Sequence, residues 1–87
     1  MITVYYSERF IKHYKKLTEK EQTQVKNKII LFKQDITHPS LRTHRMQGYT
    51  NRYEFSVNMD IRVIWQYEGD DIIALVDIGH HDILYKN

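Results

Sequence analysis

The sequence contains no cysteine, which excludes disulfides and thiolate-ligated metal centres. It has one proline and three glycines, and no repeat, linker or low-complexity segment. No apolar run approaches the roughly 20 residues needed to cross a bilayer. The opening stretch, MITVYYSERF, has neither a basic start nor a long apolar core, so no signal peptide is expected. A single cytosolic domain over residues 1–87 is the expectation. A chain of this length buries only about 60–65% of the surface its unfolded form exposes. There is no room for a ligand-binding domain beside a scaffold, so any chemistry must use the fold's own surface or a shallow cleft.

The formal net charge of +2 hides an uneven distribution. Residues 9–52 carry eleven Lys/Arg against Glu19, Glu21 and Asp35, a net of +8. Residues 53–87 carry Arg62 and Lys86 against seven Asp/Glu, a net of −5, and Glu8 completes the sum. A basic face from the first half would suit phosphate backbones; a solvated, lysine-rich helix surface has the same composition.

Local patterns predict the elements. ITVYY, residues 2–6, is β-branched and aromatic, as strands are. Ser7 offers an N-cap oxygen, and Phe10, Ile11, Tyr14 and Leu17 follow at helical spacing. Thr18 to Glu21, TEKE, form a capping box. Val25, Ile29, Phe32 and Ile36 then mark an amphipathic stripe, and His38-Pro39 is expected to stop that helix. Residues 40–51 read as a loop with a short strand near 44–47. Tyr53, Phe55 and Val57 alternate with polar residues, and Ile61, Val63, Trp65 and Tyr67 do so after an NMD turn. A second turn, EGDD, leads into IIALVDI, apolar on both sides like a strand covered on both faces. The expected class is α+β: an N-terminal strand and a two-helix hairpin packed on a three- to four-stranded, mainly antiparallel sheet.

The stretch MDIRVIWQYEGDDIIALVDIGHHDILY resembles the C-terminal half of the RelE/ParE toxin superfamily. There an arginine strand, an acidic turn, an apolar strand and a closing GH-x-x-x-x-Y follow in that order. The opening strand and two helices match too, so the resemblance spans nearly the whole chain. It implies a toxin of a type II toxin–antitoxin system. RelE-like members cleave mRNA in the ribosomal A site; ParE-like members inhibit DNA gyrase. By resemblance, Arg62 is the phosphate-contacting arginine of the third strand, and Tyr85 is the aromatic that stacks on an mRNA base. His81 stands where RelE has a second arginine, and Glu54 and Ser56 stand where RelE has two lysines. The histidine-using YafQ branch fits better. Its members carry a histidine at the position of His81, an aspartate at that of Asp60, and a loop histidine where His44 stands.

A ribonuclease that uses no metal needs a base for the 2′-hydroxyl proton, an acid for the leaving 5′-oxygen, and a cation for the charge that develops. Histidine serves as acid or base near neutral pH, and arginine grips phosphate with paired N–H bonds. His81, His44 and Arg62 supply those types, with Tyr85 as base platform. Arg45 and Arg52 flank the same loop as further phosphate contacts, and Asp60 is an auxiliary candidate that also suits a tight turn. If extension persists past Gly79, His81 shares a face with Asp77 and Gly79, and His80 turns to the other face. That parity opposes a His-His metal chelate, and neither metal nor other cofactor is expected.

The expected function is therefore a ribosome-dependent mRNA interferase. Two alternatives share these residues: a gyrase-inhibiting toxin of the ParE kind, and an inactive homologue that keeps only antitoxin affinity. Under all three, a cognate antitoxin is the expected partner. It would lay an amphipathic helix or strand on apolar surface near Phe10 and Tyr14.

Overall fold

The computed structural model describes residues 2–84, without the side chains of Asp82 and Ile83. Strand β1 spans Thr3–Tyr6, helix α1 Glu8–Tyr14 and helix α2 Glu19–Gln34. A 3₁₀ turn at Pro39–Leu41 precedes β2 (His44–Arg45), β3 (Arg52–Ser56), β4 (Ile61–Gly69), β5 (Ile72–His80) and the short α3 (His81–Leu84). The strands form one sheet in the order β1-β5-β4-β3-β2. The α+β arrangement of a strand and helical hairpin on a mainly antiparallel sheet is observed. The first strand joins that sheet by pairing in parallel with β5, giving five strands.

Both helix starts form as their sequences dictate. Ser7 Oγ accepts the Phe10 N–H at 2.9 Å and donates to the Val76 carbonyl at 2.7 Å, so one hydroxyl caps α1 and ties it to β5. Pairing of β1 ends at Tyr6 opposite Leu75. Beyond that point α1 runs along the half of β5 that β1 leaves uncovered. At α2, Thr18 Oγ1 accepts from Glu21 N, and Glu21 Oε1 accepts from Thr18 N, completing the capping box.

The end of α2 departs from expectation. It stops at Gln34, before His38-Pro39, because Asp35 is extended and its Oδ1 accepts from both Thr37 N and Thr37 Oγ1. That local turn competes with the helical hydrogen bonds. Ile36 consequently packs on the core from outside the helix.

Phe10, Val25, Ile29 and Phe32 from the helices bury against Phe55, Val57, Ile61, Val63, Trp65, Ile73, Leu75 and Ile78 from the sheet side. Phe32 is the keystone: its ring lies 5.0 Å from that of Phe55 and 5.1 Å from that of Trp65. Burial in β5 alternates rather than covering both faces, with Ile73 and Leu75 sealed while Ile72 is exposed. Among the described residues no helix is long and apolar enough to cross a membrane.

Candidate active site

The face of the sheet turned away from the helices carries Arg52, Glu54 and Ser56 of β3 and Arg62, Ile64 and Gln66 of β4, by the alternation that sends their neighbours into the core. Glu54 is the unexpected member. The alternation reads it as a solvated outward residue, yet it is only 2% exposed. His44 lies directly opposite it on β2, and His44 Nε2 meets Glu54 Oε1 at 3.0 Å. Arg62, on the diagonal across β3 and β4, brings Nε to 3.9 Å from the same oxygen. Glu54 Oε2 is buried with no hydrogen bond among the described residues. One buried carboxylate thus gathers an imidazole and a guanidinium from two flanking strands.

Arg62 is aimed from behind as well. Its Nη1 donates to the Asn58 carbonyl at 2.7 Å and the Ile61 carbonyl at 3.3 Å, and the residue is half-buried. Only Nη1 is hydrogen-bonded among the described residues, and Nε is held by charge rather than by a hydrogen bond to Glu54. Asn58 builds the turn that makes this possible. Its Oδ1 accepts from Asp60 N and Ile61 N, each at 2.8 Å, and its Nδ2 donates to Gln24 of α2.

His81 stands at the same end of the sheet. Arg62 pairs with Gly79 and Ile61 with His80, and His81 N donates to the Asp60 carbonyl at 2.6 Å. The expected extension does not persist to His81: β5 ends at His80, and His81 opens α3. Leu84 of α3 folds back to lie over Gly79 of β5, its Cδ2 within ordinary contact distance of where a Cβ would stand. His81 is exposed. His80 turns to the helix side, where its Nε2 lies 3.4 Å from Glu21 Oε2. The Glu21 carboxyl is held below the ordinary glutamate value, chiefly by the Thr18 backbone N–H. Partial burial opposes this, and the Thr18 hydroxyl and the His80 charge add to it.

The other sequence candidates fall in different places. Asp60 contributes through its backbone, as the acceptor for His81. Arg52 shares the site's face, but its Nε and Nη2 both donate to Gln66 Oε1, at 3.1 and 2.9 Å, and its guanidinium lies over the Tyr49 ring. Arg45 is exposed beside Tyr53, and its alternation with His44 points it to the opposite face. Tyr85 lies outside the described residues.

Sequence reasoning missed two cations. Lys28 of α2 and Arg42, which follows the 3₁₀ turn in a left-handed conformation, line a cleft of about 280 Å³ with Ser56, Asn58, Met59 and Arg62. No local signal marks either residue, because packing of α2 and the turn against the sheet brings them together. Arg62 thus links two arrangements, the cleft it shares with Lys28 and Arg42 and the buried Glu54 carboxylate it shares with His44.

A family model described as "Bacterial toxin of type II toxin-antitoxin system, YafQ" matches residues 2–86. No curated protein matches. Among solved structures, YafQ from E. coli strain BL21(DE3) superposes with a TM-score of 0.79 at 17% identity, covering 98% of this chain and 99% of that one. The E. coli DinJ-YafQ toxin-antitoxin complex gives 0.80 at 18% identity, covering 97% of each chain. The RelB-RelE antitoxin-toxin complex from Methanococcus jannaschii gives 0.78 at 18% identity, covering 94% of this chain and 95% of that one.

Proposed function

Since the chain belongs to the YafQ family of toxins from bacterial type II toxin–antitoxin systems, we propose that it is an mRNA endonuclease acting in the ribosomal A site, in the cytoplasm. The observation that carries this reading is the convergence of Arg62 and His44 on buried Glu54, with His81 anchored at the same end of the sheet. In the reaction, the ribose 2′-oxygen attacks the adjacent phosphorus and the bond from phosphorus to the 5′-oxygen breaks. The products are a 2′,3′-cyclic phosphate and a 5′-hydroxyl. Arg62 stabilises the negative charge that builds on the non-bridging oxygens, the kind of preorganised contact worth about 10²–10³ in rate. His81, exposed and at the sheet's end, exchanges one proton with the reacting oxygens, and His44 serves as its complement. Glu54 orients the Arg62 guanidinium and the His44 ring without reaching the RNA. Tyr85 supplies the stacking surface that the family resemblance implies.

The groups are sparse, and the ribosome would supply what they lack by holding and distorting the message. An antitoxin is the proposed protein partner, as DinJ is for YafQ and RelB for RelE in their solved complexes. A groove of about 450 Å³ supports this: Tyr6, Phe10, Ile11, Tyr14, Ile29 and Ile30 line it, with Lys26 and Lys33 at its edge.

The test is expression of the chain in bacteria, with 5′ ends mapped on a reporter mRNA beside His81→Ala and Arg62→Ala. Codon-phased cuts that disappear in both variants are expected. Growth arrest with intact mRNA and accumulated gyrase–DNA breaks would replace this reading with gyrase inhibition.

A further inference from the structure

A second cluster of ionisable side chains lies around the corner of the sheet from Arg62, and the proposed nuclease reaction does not use it. Asp77 of β5 is 8% exposed. Its Oδ1 meets His13 Nδ1 at 2.6 Å and accepts from Ile78 N at 2.8 Å, and its Oδ2 meets Arg9 Nε at 3.1 Å. His13 and Arg9 both come from α1, packed on the part of β5 that β1 leaves uncovered. Around them is a cleft of about 400 Å³, lined also by Lys16, Gly79, His80 and Leu84.

The pairing defines what His13 can offer. A carboxylate only accepts, so Nδ1 is the protonated nitrogen and the ring presents Nε2 away from Asp77. His13 remains about a third exposed, and Arg9 is mostly exposed. Two cations and two imidazoles therefore border one cleft. Its one lining carboxylate, Asp77, is already engaged by Arg9 and His13, and His80 reaches out of it to Glu21. Arg9 and Lys16 are donors as they stand, while His13 Nε2 and the His80 nitrogen turned away from Glu21 become donors when each ring takes up a second proton, so an anion would be bound in this hollow together with that proton. Its position matters equally. Gly79, which lines it, is the cross-strand partner of Arg62. The strands that carry the two sites are therefore adjacent, about 5 Å between backbones, and α3 leads from His81 to Leu84, which lines the cleft.

We propose that the cleft between α1 and the C-terminal half of β5 is a phosphate subsite for the RNA strand, with His13, Lys16 and His80 as its contacts and Asp77 as the residue that positions His13. The inference rests on the RNA-cleaving reading and extends it. The strand crosses the sheet end at Arg62, and a neighbouring backbone phosphate settles beside α1. Arg9 neutralises Asp77 from the solvent side, so the carboxylate does not repel that phosphate.

Two probes test this apart from cleavage. Inorganic phosphate is titrated into the full chain while the imidazole resonances of His13 and His80 are followed by NMR. Both should move along one saturating curve. With each variant first shown to be folded by its backbone NMR spectrum, Lys16→Gln, at an exposed position, and Asp77→Asn should each weaken the response about three- to fivefold, the size of one partly exposed charge contact; Arg62→Ala should leave it unchanged. A short RNA with 2′-O-methyl riboses, which cannot be cleaved, should then compete with phosphate for the same resonances. Unmoved resonances overturn the subsite, as does a phosphate response that the RNA cannot displace. If RNA binds as described while the native chain cuts no mRNA, the subsite stands and the nuclease reading falls. If cutting is undiminished in Lys16→Gln and His13→Gln and no phosphate response appears, the reverse holds.

Discussion

Removing Arg62 should damage this protein twice, and the two losses can be separated through Glu54. At 3.9 Å the Arg62–Glu54 contact has a gross attraction of about 4 kcal/mol at an effective dielectric constant of 20. Desolvation and side-chain ordering offset much of that, leaving a net coupling of about 1–2 kcal/mol. Arg62→Ala also deletes the hydrogen bonds to the Asn58 and Ile61 carbonyls, each worth about 1 kcal/mol. The single variant should therefore lose about 3–4 kcal/mol, because Glu54 stays buried with only His44 beside it. Glu54→Gln keeps the shape and removes the charge, so the double variant should recover about 1–2 kcal/mol relative to the sum of the singles. Urea unfolding curves of the four proteins give the cycle directly. Cleavage would behave differently: the double variant should regain stability and remain inactive, since the guanidinium is still absent. A coupling within about 0.5 kcal/mol of zero, or mRNA cutting restored with the stability, would refute the claim that Glu54 holds Arg62 for phosphate.

Two further predictions concern the scaffold. Phe32→Ala opens the contact with Phe55 and Trp65 and should cost about 3–5 kcal/mol, a large share of the roughly 4–13 kcal/mol available to a domain of this size. A fall in Tm of only a few degrees would contradict the keystone role. Glu21 has a lowered pKa in the folded chain, so its stabilising contribution is present above the ordinary glutamate range and is lost as pH falls through the folded value. Wild type should exceed Glu21→Gln in stability at neutral pH, with the gap closing in acid. A gap that stays flat or widens on acidification would be the wrong sign.

How much of this was legible in advance differs from residue to residue. The Ser7 and Thr18 caps lie next to the groups they satisfy, so three or four residues of sequence contain the whole interaction. Tyr53, Phe55, Val63 and Trp65 alternate because the pleat does, and their core face followed. The end of α2 is not legible from His38-Pro39, because Asp35 outcompetes the proline signal with a turn of its own. The face His81 takes is not legible either, because strand parity holds only while the strand continues and cannot announce where it stops. Arg62, His44 and His81 were named from resemblance, but Glu54, which organises the first two, reads as an ordinary outward-facing charge. Its burial arises from neighbours on β2 and β4, only ten and eight residues away, that the pairing register of three adjacent strands brings against it.

Periodicity and capping, both short-range, are enough to specify two helices, the strands and the side of each that goes inside. Which ionisable groups meet is a matter of register, of the irregularity that leaves Val76 unpaired, and of how α1 lies along β5. Strand register decided that Glu54 would sit beneath Arg62, eight residues on, and the packing of α1, sixty-four residues away, decided that Asp77 would sit beneath His13, so only the folded chain settled either.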